Sequence, residues 1–269
     1  MRFTRPSDDD QVIVWPASPA KPLPLASAVT AMRAKGVFFD LYGTLLVYGN
    51  MRAAWTAWEK EMHSILSRRG SGWSFRETKK RLAVFFAGQS RTASVGELTV
   101  YERRIRTLAV EAGLALSHPD IRRIATRTIA VWQRYIPPDP SARRVVDELA
   151  RRGKVLALIT NYDHPPHVRV LLKRMRIARF FKAVIVSGSV QMKKPDPGIF
   201  RLAIGKCGLK ARDVVFVGDS AEDVRGARAA GIRPIVIRRP RQASPFGAAA
   251  APRRAFRIRR LDDLLTLLT

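Results

Sequence analysis

The sequence predicts an α/β fold in which helices cover both faces of a parallel sheet. Two observations support this prediction. From about residue 137 onward, short runs that are apolar throughout alternate with helical patterns, and strands buried on both faces have this appearance. Residues 50–136 show helical periodicity alone. We therefore expect an α/β core that carries an all-helical insertion.

The first half of the chain combines an irregular start, one short strand and several helices. Residues 1–35 contain five prolines, the run DDD and no sustained hydrophobic period, which is typical of a poorly ordered extension. A buried strand is predicted within KGVFFDLYG, which is apolar and bounded by glycines. In residues 50–136 apolar side chains then recur at helical spacing, as at Trp55, Trp58 and Met62. The tryptophans are interpreted mainly as core residues of the insertion.

After PPDPS the chain reads as a series of helix–strand pairs. SARRVVDELARRG begins with serine and ends with glycine, as helices often do, and the strand KVLALITN follows. The next pairs are HVRVLLKRMRI with AVIVSG, PGIFRLAIGKCG with DVVFVGD, and AEDVRGARAAG with RPIVIRR. Residues 240–255 form a predicted low-complexity loop before FRIRRLDDLLTLL adds a strand and an amphipathic helix. Residues 36–49 and 137–269 are therefore assigned to the core.

The composition is that of a soluble protein. The chain has 269 residues, of which 46% are hydrophobic, and no apolar run approaches the roughly 20 residues that span a bilayer. The acidic run SDDDQ precedes any apolar stretch, which argues against a secretory signal. Cys207 is the single cysteine, so no internal disulfide can form. We expect a reducing, cytoplasmic setting.

The net charge is strongly positive. Forty-nine Lys and Arg against 22 Asp and Glu give +27, a charge that attracts nucleic acid, acidic membrane surfaces or phosphorylated metabolites. The basic residues are scattered as pairs, and the recognisable nucleic-acid-binding motifs are absent from the sequence. A compositional bias toward arginine is the simpler interpretation, and nucleic acid stays open as a partner.

Polar side chains stand at four predicted strand ends. In an open parallel sheet, ligands bind beyond the carboxyl ends of the strands. A carboxylate, hydroxyl groups, an ammonium and further carboxylates that meet at one edge form a candidate catalytic site. The residues in question are Asp40, Thr160 with Asn161, Lys194 in the segment that follows AVIVSG, and Asp219 with Ser220 and Asp223.

These residues and their order resemble the haloacid dehalogenase (HAD) superfamily of hydrolases. The family's D-x-D-G-T motif is matched by DLYGT, which begins at Asp40 and departs from the pattern at Tyr42. The three later motifs are matched by LALITN, by KKPDPGIF and by VGDSAEDVRGA. The resemblance covers roughly residues 36–240 and the closing strand and helix. It implies a Rossmann-like core, and it implies that the helices of residues 50–136 are the family's cap.

The resemblance also implies a role for each matched residue. Asp40 would be the nucleophile that forms an aspartyl intermediate, and Lys194 would keep it ionised beside an anionic substrate. The substrate or its phosphate would be bound by Thr44, Thr160 and Asn161. Mg²⁺, which prefers oxygen ligands, would be held by Asp40, Asp219, Asp223 and the backbone carbonyl of residue 42.

Tyr42 separates two branches of this family. Phosphatases of the family have an aspartate there, which protonates the leaving group and later activates water. A phenol with a reference pKa of about 10 can donate a proton but is a poor base at neutral pH. Tyrosine at this position resembles the L-2-haloacid dehalogenases, whose halide leaving group needs no proton. The spacing from Asp219 to Asp223 also fits that branch.

The fourth motif points to the phosphatases instead. The dehalogenase pattern has S-S-N where this chain has Gly218, Asp219 and Ser220, and it has a tyrosine where this chain has Phe200. Asp219 matches the metal-binding acid of the phosphatases. We therefore favour a Mg²⁺-dependent phosphohydrolase of a small phosphorylated metabolite.

Two alternatives stay open. The first is a metal-independent 2-haloacid dehalogenase with a small halogenated substrate, and the second is a low-activity member that binds RNA or a ribonucleoprotein. His164 and His167, in the DHPPH run after Asn161, are further candidates because histidine titrates near neutrality. His164 could supply the proton that Tyr42 does not, although a proline-stiffened surface loop is the simpler interpretation of this run.

Overall fold

The protein is built around a six-stranded parallel sheet. The computed structural model of the chain describes residues 32–86, 97–190, 192–239 and 256–268. The strands are β1 (Gly36–Phe39), β2 (Val155–Thr160), β3 (Phe181–Val186), β4 (Val214–Gly218), β5 (Arg233–Ile237) and β6 (Phe256–Ile258). Their order is β3-β2-β1-β4-β5-β6, and all neighbours pair in parallel. The predicted parallel α/β fold is confirmed.

Helices connect the successive strands from β1 to β5, and one further helix follows β6. They are α1 (Met51–Arg68), α2 (Phe75–Ala83), α3 (Val100–Glu111), α4 (His118–Gln133), α5 (Ala142–Arg151), α6 (Pro165–Arg174), α7 (Pro197–Cys207), α8 (Ala221–Ala229) and α9 (Asp263–Leu267). None of these helices in the described ranges has the length and apolar character needed to cross a membrane.

Alternate side chains of the inner strand β1 enter apolar layers on opposite faces of the sheet. Phe39 of β1 belongs to the layer that contains side chains of α5, α6 and α9. Its neighbour Phe38 belongs to the other layer, with side chains of α7 and α8. Phe200 of α7 is fully buried in that second layer, where its ring lies 5.0 Å from the ring of Phe216. Strands buried on both faces therefore read as continuous apolar runs.

Helices α1–α4 pack around an apolar centre of their own. This cluster includes Trp58, Met62 and Ile105, and Trp55 packs against it from a partly exposed position. The two chain segments that connect these helices to the sheet run side by side. Their backbones are joined by bonds from Val47 N–H to Pro137 O and from Gly49 N–H to Tyr135 O. The chain therefore leaves and re-enters the core through two hydrogen-bonded segments that lie next to each other.

The packed chain begins earlier than the predicted boundary at residue 36. Met32 and Ala34 are only 4% and 6% exposed, and the Met32 amide donates to the carbonyl of Leu267. This contact with the last helix anchors the chain before β1. Residues 1–31 of the predicted extension and the predicted loop 240–255 lie outside the described residues.

Candidate active site

Asp40 lies at the carboxyl end of β1, an inner strand of the sheet. It directly follows β1, whose neighbours are β2 on one side and β4 on the other. Its amide donates to the carbonyl of Val217 in β4 at 2.9 Å, and the side chain is buried. The strand order changes direction between β1 and β4, and the loops that follow such strands separate to form a crevice. Asp40 therefore lies where this fold binds ligands.

Lys194 is the buried cation of the site. Its Nζ atom lies 2.7 Å from Asp40 Oδ1 and 2.7 Å from Asp223 Oδ1, and the residue is only 3% exposed. The lysine and the two carboxylates, which come from separate parts of the sequence, thus form one ion-paired group. The sequence predicts that the three residues lie at the same edge of the sheet, and the structure brings them together there.

Asn161 fixes the position of Lys194. Its Oδ1 accepts from the Lys194 amide at 2.9 Å, and its Nδ2 donates to the Lys194 carbonyl at 3.0 Å and to Glu222 Oε2 at 3.2 Å. The carboxamide that we expected to bind substrate is therefore engaged on the backbone of the lysine. Asn161 therefore contributes to the site by positioning the Lys194 ammonium.

Asp223 is held by the first turn of α8. Its Oδ2 accepts from the amide of Ser220 at 3.0 Å and from the Ser220 hydroxyl at 2.7 Å, and the Ser220 Oγ accepts from the Asp223 amide. This reciprocal arrangement is a capping box, which the S-x-x-D spacing encodes locally. A Cβ on Gly218 would come within 2.5 Å of Asp223 Oδ2. The glycine before the motif therefore leaves room for this carboxylate.

Three carboxylates form a candidate metal site. Oxygen atoms of Asp40, Asp219 and Asp223 all lie within 4.8 Å of one another. Gly43 in the turn after β1 has φ +80°, and a Cβ there would lie 2.3 Å from Asp219 Oδ2. The turn can approach Asp219 this closely because a glycine stands at that position. The predicted metal ligands are thus brought together.

Two predicted substrate-binding hydroxyl groups are buried beside these carboxylates. Thr44 is fully buried, and its Oγ1 makes no hydrogen bond within the described part of the chain. Thr160 ends β2, next to β1, and is 1% exposed. Buried hydroxyl groups usually have a hydrogen-bond partner. The Thr44 hydroxyl is therefore a group to which a ligand oxygen could supply the missing bond.

Burial and the neighbouring charges set the protonation states of Asp40 and Lys194. Burial raises the pKa of Asp40 to about 6, against the opposing effect of Lys194 and with a further increase from Asp223. Burial alone would lower the pKa of Lys194, but the carboxylates of Asp223 and Asp40 raise it above its usual value. The lysine is therefore charged at neutral pH, and Asp40 is mostly ionised there.

Tyr42 connects the turn after β1 to the helical segment. Its ring stacks on Tyr162 with centroids 5.1 Å apart and lies 5.6 Å from the ring of Trp132. Its hydroxyl donates to Gln133 Oε1, at the end of α4, at 2.9 Å. Burial, together with Tyr162, raises the pKa of Tyr42 well above its usual value. The phenol therefore keeps its proton at neutral pH, and that proton lies in the hydrogen bond to α4.

His164 and His167 both form side-chain hydrogen bonds to the helical segment, and both are neutral. His164 Nδ1 lies 2.9 Å from the hydroxyl of Thr99, the N-cap of α3, and burial lowers the histidine pKa. His167 Nε2 lies 3.1 Å from Gln133 Oε1, and burial lowers the His167 pKa to about 4. Neutral imidazoles are poor proton donors. The interpretation of His164 as the missing acid is therefore not supported.

Two residues beside the site, Tyr48 and Arg239, are not predicted from the sequence. Tyr48 is buried, and its pKa is raised by burial and then by the negative charges of Asp219 and Asp40. No spacing rule would have singled out this phenol. Arg239, just beyond the end of β5, donates to backbone carbonyls of the turn after β1. Its position at the carboxyl edge of the sheet was the available signal.

A family model and curated relatives match this chain. The family model described as haloacid dehalogenase-like hydrolase matches residues 34–231. Phosphoserine phosphatase from Thermus thermophilus is 37% identical over 139 residues, which cover 51% of this chain and 54% of that protein. Phosphoglycolate phosphatase from Pectobacterium atrosepticum is 32% identical over 152 residues, which cover 55% of this chain and 64% of that protein. The chain thus spans between half and two thirds of the length of these relatives.

Solved structures show the same fold. A HAD phosphatase from Thermococcus onnurineus superposes with a TM-score of 0.61 at 23% identity, over 87% of this chain and 97% of that chain. A 2-haloacid dehalogenase from Pseudomonas syringae pv. tomato superposes with a TM-score of 0.62 at 21% identity, again over 87% and 97%. Since a phosphatase and a dehalogenase match equally well, these likenesses establish the fold alone.

Proposed function

The chain belongs to the haloacid dehalogenase-like hydrolases, and on that basis we propose that it is a Mg²⁺-dependent phosphohydrolase of a small phosphorylated metabolite. The observation that carries this proposal is the carboxylate of Asp219, which lies within 4.8 Å of the Asp40 and Asp223 oxygens. Displacement of halide from carbon needs no metal ion, whereas phosphoryl transfer is helped by one. The two relatives reported above, which are 37% and 32% identical, are named phosphatases.

The residues present fit a magnesium ion. Asp40 and Asp219 supply carboxylate oxygens, the ligand type that Mg²⁺ prefers, and Gly43 leaves the space that the Asp219 oxygen occupies. Both oxygens of Asp223 are engaged, Oδ1 by Lys194 and Oδ2 by Ser220, whereas the ion pair of Asp40 with Lys194 uses Oδ1 alone. We therefore assign the ion to Asp40 and Asp219. When bound by these residues, Mg²⁺ would supply positive charge that offsets the negative charge of the phosphoryl oxygens.

In the proposed reaction Asp40 attacks phosphorus. A carboxylate oxygen forms the new P–O bond while the bond to the leaving group breaks, and water then cleaves the aspartyl phosphate to release inorganic phosphate. Lys194 compensates the negative charge that the substrate adds beside Asp40. The Thr44 hydroxyl, buried and without a hydrogen bond in the described residues, donates to a phosphoryl oxygen.

The supply of protons limits the choice of substrate. Tyr42 is directed at Gln133, and the buried histidines are neutral, so none of these groups is suited to protonate a leaving alkoxide. General acid help is worth about 10²–10⁴-fold. We therefore propose a substrate whose leaving group needs little protonation, such as an acyl or aryl phosphate, and a slow hydrolysis of the aspartyl intermediate.

Tyr42 is also the main observation that favours the second candidate, a metal-independent 2-haloacid dehalogenase. Its phenol resembles that branch, for which a halide leaving group removes the need for an acid. The relatives and structural neighbours reported above are named for phosphatase and dehalogenase activity. They give the suggested nucleic-acid partner no support.

The two candidates are separated by their products and their metal requirement. We expect phosphate release from a panel of acyl phosphates, aryl phosphates and phosphomonoesters in Mg²⁺, and loss of that release in excess chelator. Asp40→Asn should abolish turnover, and Asp219→Asn should raise the Mg²⁺ concentration needed for half-maximal rate. Asp147→Asn, on the outer surface of α5 with a pairing to Arg151, is the matched control. Chloride release from 2-chloropropionate in excess chelator, without phosphate release, would select the dehalogenase.

A further inference from the structure

We propose that Arg239 and Asp139 form a positioning pair that fixes the backbone of the nucleophile turn, residues 40–46. The pair touches neither substrate nor metal ligands in the proposed reaction. It acts through the turn that carries Asp40, Gly43 and Thr44. The catalytic consequence of this inference rests on the proposed phosphohydrolase function, whereas the structural consequence does not.

The guanidinium of Arg239 binds the turn and Asp139 together. Its Nη1 donates to the Gly43 carbonyl at 2.5 Å, and its Nη2 donates to the Thr44 carbonyl at 2.7 Å. Its Nε and Nη2 donate to Asp139 Oδ2 at 3.2 and 2.7 Å. The planar fork of arginine suits such a set of acceptors, and a lysine ammonium cannot reproduce it. Arg239 therefore fixes two consecutive peptide groups of the turn at once.

Asp139 is itself fixed from two sides. Its amide donates to the Leu45 carbonyl at 2.9 Å, and its Oδ1 accepts from the Ser141 amide at 2.8 Å. The side chains of Arg239 and Asp139 are only 12% and 10% exposed. A charge pair at this depth with several hydrogen bonds is screened little by solvent and holds one geometry.

The pair joins three segments that are distant in sequence. Arg239 follows β5, and the nucleophile turn follows β1. Asp139 lies between α4 and α5, where the chain passes from the helical segment back to the sheet. Close to the pair, the Val47 amide bonds to the Pro137 carbonyl, between the two adjacent segments. The position of the nucleophile turn is thus coupled to the place where the chain leaves and re-enters the sheet.

Two residues of the nucleophile turn, Gly43 and Thr44, need an accurately placed backbone. Gly43 approaches Asp219 with the φ of +80° that permits the contact, and the Thr44 hydroxyl lacks a hydrogen bond in the described residues. Both residues present their carbonyls to Arg239. A displacement of these peptide groups would move Gly43 relative to Asp219. It would also move the Thr44 hydroxyl that we propose binds phosphate. Misplacement by about 1 Å can reduce turnover by about 10²-fold.

The test uses arginine-to-lysine changes in the full chain. Arg239→Lys keeps a charge beside Asp139 but not the set of bonds to the turn. Arg233→Lys is the matched control, because Arg233 begins the same strand and also donates to a backbone carbonyl, that of Arg33, at the opposite end of β5. Asp139→Asn is the second variant, in case Arg239→Lys folds poorly.

Two readouts are measured for each variant. The first is hydrogen–deuterium exchange of the amides of Leu45 and Leu46, which bond to the Leu41 carbonyl. The second is kcat and KM for phosphate release from the best substrate of the wild-type protein. We expect at least tenfold faster exchange in Arg239→Lys and Asp139→Asn, a fall in kcat of about ten- to a hundredfold, and little change of either in Arg233→Lys.

The outcomes distinguish this inference from the proposed function. Unchanged exchange in both Arg239→Lys and Asp139→Asn overturns the positioning pair, whatever the activity. Faster exchange with an unchanged kcat overturns its role in turnover. If the wild-type protein releases no phosphate, faster exchange confined to the two pair variants still supports the pair, and the proposed function alone fails.

Discussion

Replacement of Lys194 by methionine should destabilise the protein and shift its activity to higher pH. The Lys194 Nζ atom lies 2.7 Å from both Asp40 and Asp223, and all three side chains are less than a tenth exposed. Methionine fills much of the same space without the charge. Two close carboxylates would then share a buried site with no counter-ion.

The size of the effect follows from this burial. Removal of one partner from a buried ion pair typically costs about 3–5 kcal/mol. For a chain of this size, about 2–4 °C of melting temperature corresponds to 1 kcal/mol, so the fall should be about 6–20 °C. The penalty should shrink between pH 7 and pH 5. Without the lysine, the pKa of Asp40 rises further above its unfolded value, and protonation in the folded state then relieves the repulsion.

The assay is urea denaturation in chelator at pH 7 and pH 5, together with the pH dependence of phosphate release. The control is Lys193→Met, because Lys193 is adjacent in sequence and exposed. The reasoning would be refuted if Lys194→Met lay within 1 kcal/mol of the Lys193 variant, or if its deficit grew as the pH fell.

Three further predictions concern the turn after β1. Gly43→Ala should destabilise the protein by about 1–2 kcal/mol more than Gly113→Ala, because both glycines have positive φ but only Gly43 faces a carboxylate oxygen at contact distance; equal losses in urea denaturation would contradict this. Tyr42→Phe should lower stability by about 1 kcal/mol through its lost hydrogen bond and leave kcat within about threefold; a hundredfold fall in kcat would instead show that the phenol is the general acid. At limiting Mg²⁺, kcat/KM should fall below a pH of about 6, the pKa of Asp40, because attack needs the ionised carboxylate; activity that persisted unchanged to pH 4 would be inconsistent with this nucleophile.

The sequence alone determined the fold class and predicted most of the residues that meet at the candidate site. The parallel sheet was predictable because strands buried on both faces must be apolar throughout, and Phe38 and Phe39 indeed enter opposite layers. Asp40 and Asp219 were predictable because parallel strands bring their carboxyl ends to one edge, and Lys194 was predicted from the matched motif KKPDPGIF. The capping box of Ser220 and Asp223 was equally local, since its spacing is written within one turn.

Only the tertiary structure decided what these side chains contact. Tyr42 bonds to a residue 91 positions away, and Arg239 bonds to one 196 positions away. Periodicity and spacing report which face of an element is buried and which strand end a residue occupies. They do not report which segment docks there. The direction of the Tyr42 hydroxyl, the engagement of Asn161 on Lys194 and the hold of Arg239 on the nucleophile turn all arise from such docking, so they became visible only when the segments were packed together.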